Sequence, residues 1–144
     1  SRRVRHRFSI GTNIMEISGS CLCGAVAYEV RGPFTHFVHC HCSRCRKSSG
    51  SSHATNAVVP PDALRWLRGK SEVVRFYLPQ ARSFATAFCR RCGSPLPHAT
   101  RSGRAVIVPA GSFDGDPGEK PARHAFWTSR APWTDQPGGL PIAE

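Results

Sequence analysis

The chain consists of short stretches of alternating or β-branched apolar residues, each closed by residues that favour turns. Such stretches predict strands, because successive side chains of a strand point to opposite faces of a sheet. The helical periodicity of apolar residues is weak throughout the sequence. We therefore predict an all-β fold, with strands at residues 16–18, 24–30, 34–39, 53–59, 64–68, 72–78, 82–88 and 105–109.

Glycine and proline pairs mark the ends of these strands. Gly32-Pro33 and Pro60-Pro61 are examples, because proline cannot donate a ladder hydrogen bond and favours a turn or a sheet edge. Residues 44–52 are basic and then rich in serine, which predicts a short turn or helical stub followed by an open loop. The strands at 64–68, 72–78 and 82–88 follow one another closely and predict a meander.

Length and composition fit one small domain. The chain has 144 residues, of which 40% are hydrophobic, and this is close to the common domain size. The net charge is +11, and four arginines fall within residues 1–14. We expect residues 1–14 to be a disordered or vector-derived extension, and residues 15–144 to be a single zinc-binding domain.

One segment, residues 39–45, carries three cysteines within six positions. Cys40 and Cys42 are two apart, so an extended chain points both to the same side, and a turn can bring Cys45 towards them. Thiolates are preferred ligands of Zn²⁺, which binds them tetrahedrally at about 2.3 Å. Three thiolates leave one coordination position open, and an open position is typical of catalytic zinc.

The other four cysteines lie in two pairs far apart in the chain. Cys89 and Cys92 form a CxxC pair followed by Gly93, the pattern of a zinc-knuckle turn, and Cys21 and Cys23 complete a set of four. Four thiolates close the coordination of a structural zinc. The sequence thus predicts two zinc ions, one structural and one at an open site.

The sequence alone also allows other interpretations of the seven cysteines. Disulfides are disfavoured, because seven is odd, the pairs are tightly clustered and no secretory signal is visible. Both zinc sites are structural if His39, His41 or a distant group closes the three-cysteine set. Spacing alone also permits a different closed set, made of Cys42, Cys45, Cys89 and Cys92.

The blocks that contain the cysteines resemble a known family. They are residues 19–26 (GSCLCGAV), 39–47 (HCHCSRCRK) and 88–96 (FCRRCGSPL), followed by 111–114 (GSFD) and 124–133 (HAFWTSRAPW). Their content and order are similar to those of the glutathione-dependent formaldehyde-activating enzyme family, which is related to centromere protein V. The resemblance covers about residues 15–140 and implies a small β-tent fold of short antiparallel strands built around zinc sites.

The resemblance implies a zinc-dependent carbon–sulfur lyase or synthase, similar to S-(hydroxymethyl)glutathione synthase. Its partners would be a small thiol such as glutathione and an aldehyde, with Cys40, Cys42 and Cys45 forming the catalytic site. A zinc-bound thiol is held as thiolate, which is the nucleophile such chemistry needs. The alternative is a non-catalytic, zinc-stabilised module that binds nucleic acid or protein.

The sequence lacks the signatures of several function classes. There is no P-loop, GxGxxG or Ser-His-Asp pattern and no apolar run long enough to span a membrane. The basic residues are scattered without aromatic stacking platforms, which disfavours nucleic acid as a partner. Reduced thiols and metal binding lead us to expect a cytoplasmic protein, whereas the oligomeric state and the identity of the thiol stay open.

Overall fold

A computed structural model describes residues 5–9, 12–135 and 139–143, with side chains described from residue 15 onwards. The strands are β1 Arg5–Ser9, β2 Thr12–Ser20, β3 Ala27–Arg31, β4 His36–Cys40, β5 Ala54–Val59, β6 Leu64–Arg68, β7 Val73–Tyr77, β8 Ala85–Cys89, β9 His98–Ala99, β10 Val106–Pro109 and β11 Arg123–Ala125. One α-helix, α1 (Ser43–Ser49), and the 3-10 turns Pro61–Ala63, Lys70–Glu72, Ala110–Ser112 and Trp127–Ser129 complete the described elements.

The described strands form three sheets. Their orders are β1-β2-β3-β6, β11-β4-β5-β10-β9 and β7-β8, and every pair is antiparallel except β11 with β4. The predicted all-β fold of short antiparallel strands, the β-tent, is confirmed. The predicted meander is wrong in part, because β6 pairs with β3 and leaves β7 and β8 as a separate hairpin.

The main core lies between the two larger sheets. Ile17, Tyr28 and Val30 from one sheet pack against alternating residues of the other, which are Phe37, Ala57, Val59, Val106 and Val108. Because side chains alternate between the two faces of a sheet, the other side chains of β5 and β10 point away from this core and can line a different site. A second buried cluster joins the hairpin to the first sheet through Val26, Ala87 and Leu96, and it includes Cys21 and Cys89.

The N-terminal strand lies within the segment that the sequence assigns to an extension. Residues of β1 pair with β2, in the register Arg5↔Glu16 to Ser9↔Thr12. The first family-like block begins at Gly19, near the end of β2 and beyond the residues that pair with β1. The division into an extension at 1–14 and a domain at 15–144 stays a prediction.

A glycine makes room for the largest fully buried side chain of the core. Gly19 pairs with Tyr28 across β2 and β3, and a Cβ at position 19 would overlap the phenol ring. The ring reaches across the core, and its hydroxyl hydrogen-bonds with the Ser112 hydroxyl. Tyr28 thereby ties the first sheet to the turn that follows β10.

We expect Gly19→Ala to lower the free energy of unfolding by about 3 kcal/mol, because the ring must move and its buried hydroxyl loses Ser112. Urea denaturation measures the change. Gly111→Ala is the control, since a Cβ at Gly111 meets nothing within 4 Å. A similar loss in both variants would contradict the steric explanation.

Candidate metal and substrate site

Four cysteine sulfurs meet between the turn after β2 and the end of β8. The Sγ atoms of Cys21, Cys23, Cys89 and Cys92 all lie within 4.8 Å of one another. The sulfurs of Cys21 and Cys23 are 3.7 Å apart, and those of Cys23 and Cys89 are 3.9 Å apart. Tetrahedral zinc with bonds of about 2.3 Å requires about 3.8 Å between sulfurs, so this donor set fits the ion.

Two tight turns carry these cysteines, and each needs a glycine. Gly24 and Gly93 have φ of 79° and 78°, and their N–H groups donate to the carbonyls of Cys21 and Cys89. Ser94 links the two turns, because its hydroxyl accepts from the Leu22 N–H and lies 3.2 Å from the Cys92 sulfur. Hydrogen bonding with Ser94 lowers the pKa of the Cys92 thiol to about 5, which favours the thiolate that a metal requires.

The other three cysteines meet where β4 leads into α1. The Sγ atoms of Cys40, Cys42 and Cys45 lie within 4.8 Å of one another. Cys42 is the N-cap of α1, and its sulfur accepts a hydrogen bond from the Cys45 N–H at 3.3 Å. Hydrogen bonding with Cys45 lowers the pKa of Cys40 to about 6, and hydrogen bonding with Cys40 raises the pKa of Cys45.

The coordination of this second set remains incomplete within the described side chains. No histidine, aspartate or glutamate atom there joins the three sulfurs within 4.8 Å of all of them. His39 and His41 alternate with Cys40 and Cys42, so their side chains lie on the other side of the extended chain. The three thiols fit a zinc ion that keeps a position for an outside ligand.

The seven cysteines are thus grouped as four and three. The alternative set of Cys42, Cys45, Cys89 and Cys92 is not assembled, and all seven cysteines are free rather than disulfide-bonded. These cysteines as zinc ligands, and Cys40, Cys42 and Cys45 as catalytic residues, stay predictions. Two clusters that can hold metal ions are present.

Four histidines gather beside the three-sulfur set: His39, His41, His53 and His124. His41 Nε2 and His124 Nδ1 are 2.8 Å apart and share a hydrogen bond, while the His39 and His53 rings lie 4.2 Å apart. Trp127 covers the group, with its ring 4.9 Å from both His41 and His124. Burial, with repulsion among the imidazoles, lowers the pKa of His39, His41 and His53. Those three side chains therefore favour the neutral form near pH 7.

Strand pairing assembles this histidine cluster. Parallel β11 aligns His124 with His39, and antiparallel β5 aligns Thr55 with His39. The Thr55 hydroxyl hydrogen-bonds with His39 Nδ1 at 2.8 Å. The sequence interpretation considered His39 and His41 as metal ligands and did not single out His53. The alternation of His39 and His41 with two cysteines was the available signal, but their partners came from strands distant in sequence.

The described part of the chain contains no helix with the length and apolarity needed to cross a lipid bilayer. The cytoplasmic location stays a prediction.

Comparisons with known proteins agree with the site. Residues 16–130 match the family model for glutathione-dependent formaldehyde-activating enzymes. A Halomonas elongata protein provisionally named as such an enzyme is 30% identical over 129 residues, covering 84% of this chain and 81% of that protein. A crystal structure of a Rhodobacter sphaeroides protein superposes with a TM-score of 0.58 at 30% identity, covering 73% of this chain and 98% of that one. The chain therefore belongs to the glutathione-dependent formaldehyde-activating enzyme family.

Proposed function

We propose that this protein is a zinc-dependent carbon–sulfur lyase or synthase that forms and breaks the bond between a glutathione-type thiol and an aldehyde carbon. The observation that carries the proposal is the incomplete three-sulfur set of Cys40, Cys42 and Cys45 beside neutral imidazoles. Family membership supports formaldehyde as an aldehyde and glutathione as a thiol.

Zinc bound by Cys40, Cys42 and Cys45 would leave one position for the substrate thiol and favour its thiolate form. The thiolate sulfur attacks the carbonyl carbon, a carbon–sulfur bond forms, and the carbonyl π electrons move to oxygen. The proton released by the thiol ends on that oxygen, and the reverse reaction is the lyase direction. The reaction needs no oxidant or reductant.

His53 is the residue that we assign to moving this proton. It lines the same cavity as Cys45, and burial lowers its pKa, so its neutral imidazole can accept a proton near pH 7. Thr55 supports its orientation, because the threonine hydroxyl lies 3.3 Å from His53 Nδ1. The second cysteine set, Cys21, Cys23, Cys89 and Cys92, would hold a structural zinc with all four positions filled.

X-ray absorption of the zinc-loaded protein tests the open position. With two zinc ions bound, we expect one site with four sulfurs and one site with three sulfurs and a light atom. At saturating glutathione, the light atom should be replaced by a fourth sulfur. S-methylglutathione, which lacks a thiol proton, is the matched control and should leave the light atom in place. A spectrum unchanged by saturating glutathione would contradict the mechanism and favour the binding-module alternative.

A further inference from the structure

A cavity of about 590 Å³ lies against the outer face of the five-stranded sheet, opposite the main core. The strand register places its floor, because Asn56 pairs with Pro109 and His98 pairs with Ile107 on this face. Thr86 of the β7-β8 hairpin and residues of α1 form other parts of its wall. Three separate elements therefore enclose one space.

The cavity belongs to the three-sulfur site. Cys45 and His53 both line it, so a molecule whose reacting carbon lies near these residues can extend into it. The volume falls in the range of sites that bury most of a drug-sized ligand. Formaldehyde, with one carbon and one oxygen, needs only a small part of this space.

Among the residues that the structure describes, no charged side chain lines the cavity. Its lining, all in the described part of the chain, contains no aspartate, glutamate, lysine or arginine. The polar members are the Cys45 thiol and hydroxyl, amide and imidazole groups. Burial lowers the pKa of His98 to about 4, so that it is uncharged near pH 7. Phe84, Leu96 and Ile107 supply apolar surface.

This lining does not suit the charged ends of glutathione. Burying a carboxylate without a cationic partner is costly, and carboxylates in protein sites are usually bound by arginine or lysine. Arg44 and Lys47 are exposed on α1, outside the lining. The thiol's charged groups are better placed at this basic helix and in solvent, which leaves the cavity to another part of the adduct.

We propose that the cavity holds the apolar, uncharged carbon chain of an aldehyde larger than formaldehyde, attached to the carbon that bonds to sulfur at the neighbouring three-sulfur site. This inference rests on the proposed function and narrows its substrate class. The chemistry is unchanged: a carbon–sulfur bond forms, the carbonyl π bond breaks, and the thiol proton goes to oxygen.

Binding of S-alkylglutathiones tests the cavity without requiring a reaction. Isothermal titration of the zinc-loaded protein with the methyl, propyl and hexyl thioethers should show affinity rising about fourfold per methylene, as expected for burial of a CH₂ group. Thr86→Phe places a ring in the cavity and should remove this dependence. Thr35→Phe, an exposed position outside the lining, is the matched control and should retain it.

Ser83→Phe is a second filling variant, at an exposed bend in the cavity lining where a ring is less able to disturb folding. It should also flatten the dependence on chain length. Affinity that does not depend on chain length in the unmodified protein, or a dependence that survives both filling variants, overturns the proposal.

Thiol–aldehyde exchange, followed by NMR with formaldehyde and hexanal, separates this inference from the proposed function. We expect hexanal to have a higher kcat/KM than formaldehyde, and Thr86→Phe to lower the ratio of the two kcat/KM values at least tenfold. Exchange with formaldehyde but no chain-length effect in either assay leaves the proposed function standing and overturns the cavity inference. Chain-length-dependent binding without exchange of any aldehyde supports the cavity as an apolar site and overturns the proposed reaction.

Discussion

Cys89→Ser is expected to leave the protein largely unfolded, whereas Cys45→Ser should remain folded. Cys89 is fully buried, packs with Val26 and Leu96, and belongs to the four-sulfur cluster. Zinc bound at such a closed site contributes about 10 kcal/mol or more to folding in small modules. A domain's whole stability is about 5–15 kcal/mol, so loss of this ligand removes most of it.

Thermal unfolding by circular dichroism, with zinc content measured on the same samples, checks this expectation. Cys45 is also buried, so its serine variant controls for placing a hydroxyl in a core position. That variant should lose about 1–2 kcal/mol from the buried polar group alone. Equal falls in melting temperature would argue against separate structural and open sites.

Strand existence was predictable because it depends on local patterns. The strand predicted at residues 64–68 coincides with β6, and the one at 53–59 begins a single residue before β5. Both segments end at a residue that interrupts the ladder, because Gly69 has a φ of 75° and Pro60 has no N–H to donate. The helical stub predicted after Cys42 is α1, which ends at Gly50 in a left-handed conformation that glycine readily adopts.

Strand partners were not predictable in the same way, because periodicity identifies which face a residue occupies and not which strand lies beside it. β6 follows the pattern of a meander but pairs with β3, where Trp66 packs edge-on against the buried Tyr28 ring. β11 has only three residues, and its parallel pairing with β4 joins segments far apart in sequence. No local signal encodes that contact.

The candidate site was likewise predictable only where it depends on local sequence. Cysteine spacing was enough to predict which sulfurs share a turn, and the structure brings the predicted sets together. The histidine cluster and the uncharged cavity depend on β5, β10 and β11, whose arrangement only the fold supplies. His124 illustrates the limit: nothing in the sequence indicates that its hydrogen-bond partner is His41, which alternates with the candidate zinc ligands.

Cys42→Ser is expected to slow thiol–aldehyde exchange strongly without unfolding the protein. Cys42 both contributes a sulfur to the three-cysteine set and caps α1 by accepting from the Cys45 N–H. Serine is a good N-cap, so the helix should keep its first hydrogen bond while the metal set loses a soft ligand. We therefore expect zinc content to fall from two ions per chain to one, matching the loss of one of two clusters.

The exchange rate should fall by about 100-fold or more, because metal catalysis contributes several kcal/mol and each 1.36 kcal/mol is about tenfold in rate. Unfolding free energy should change by no more than about 1 kcal/mol, since the four-sulfur cluster is untouched. Cys42→Ala is the comparison: it also removes the cap, and should lose about 1 kcal/mol more stability at the same activity. If Cys42→Ser loses one zinc ion but keeps full exchange activity, the reaction does not use this site. If Cys42→Ser is as unstable as Cys89→Ser, the zinc at the three-cysteine set is needed for folding.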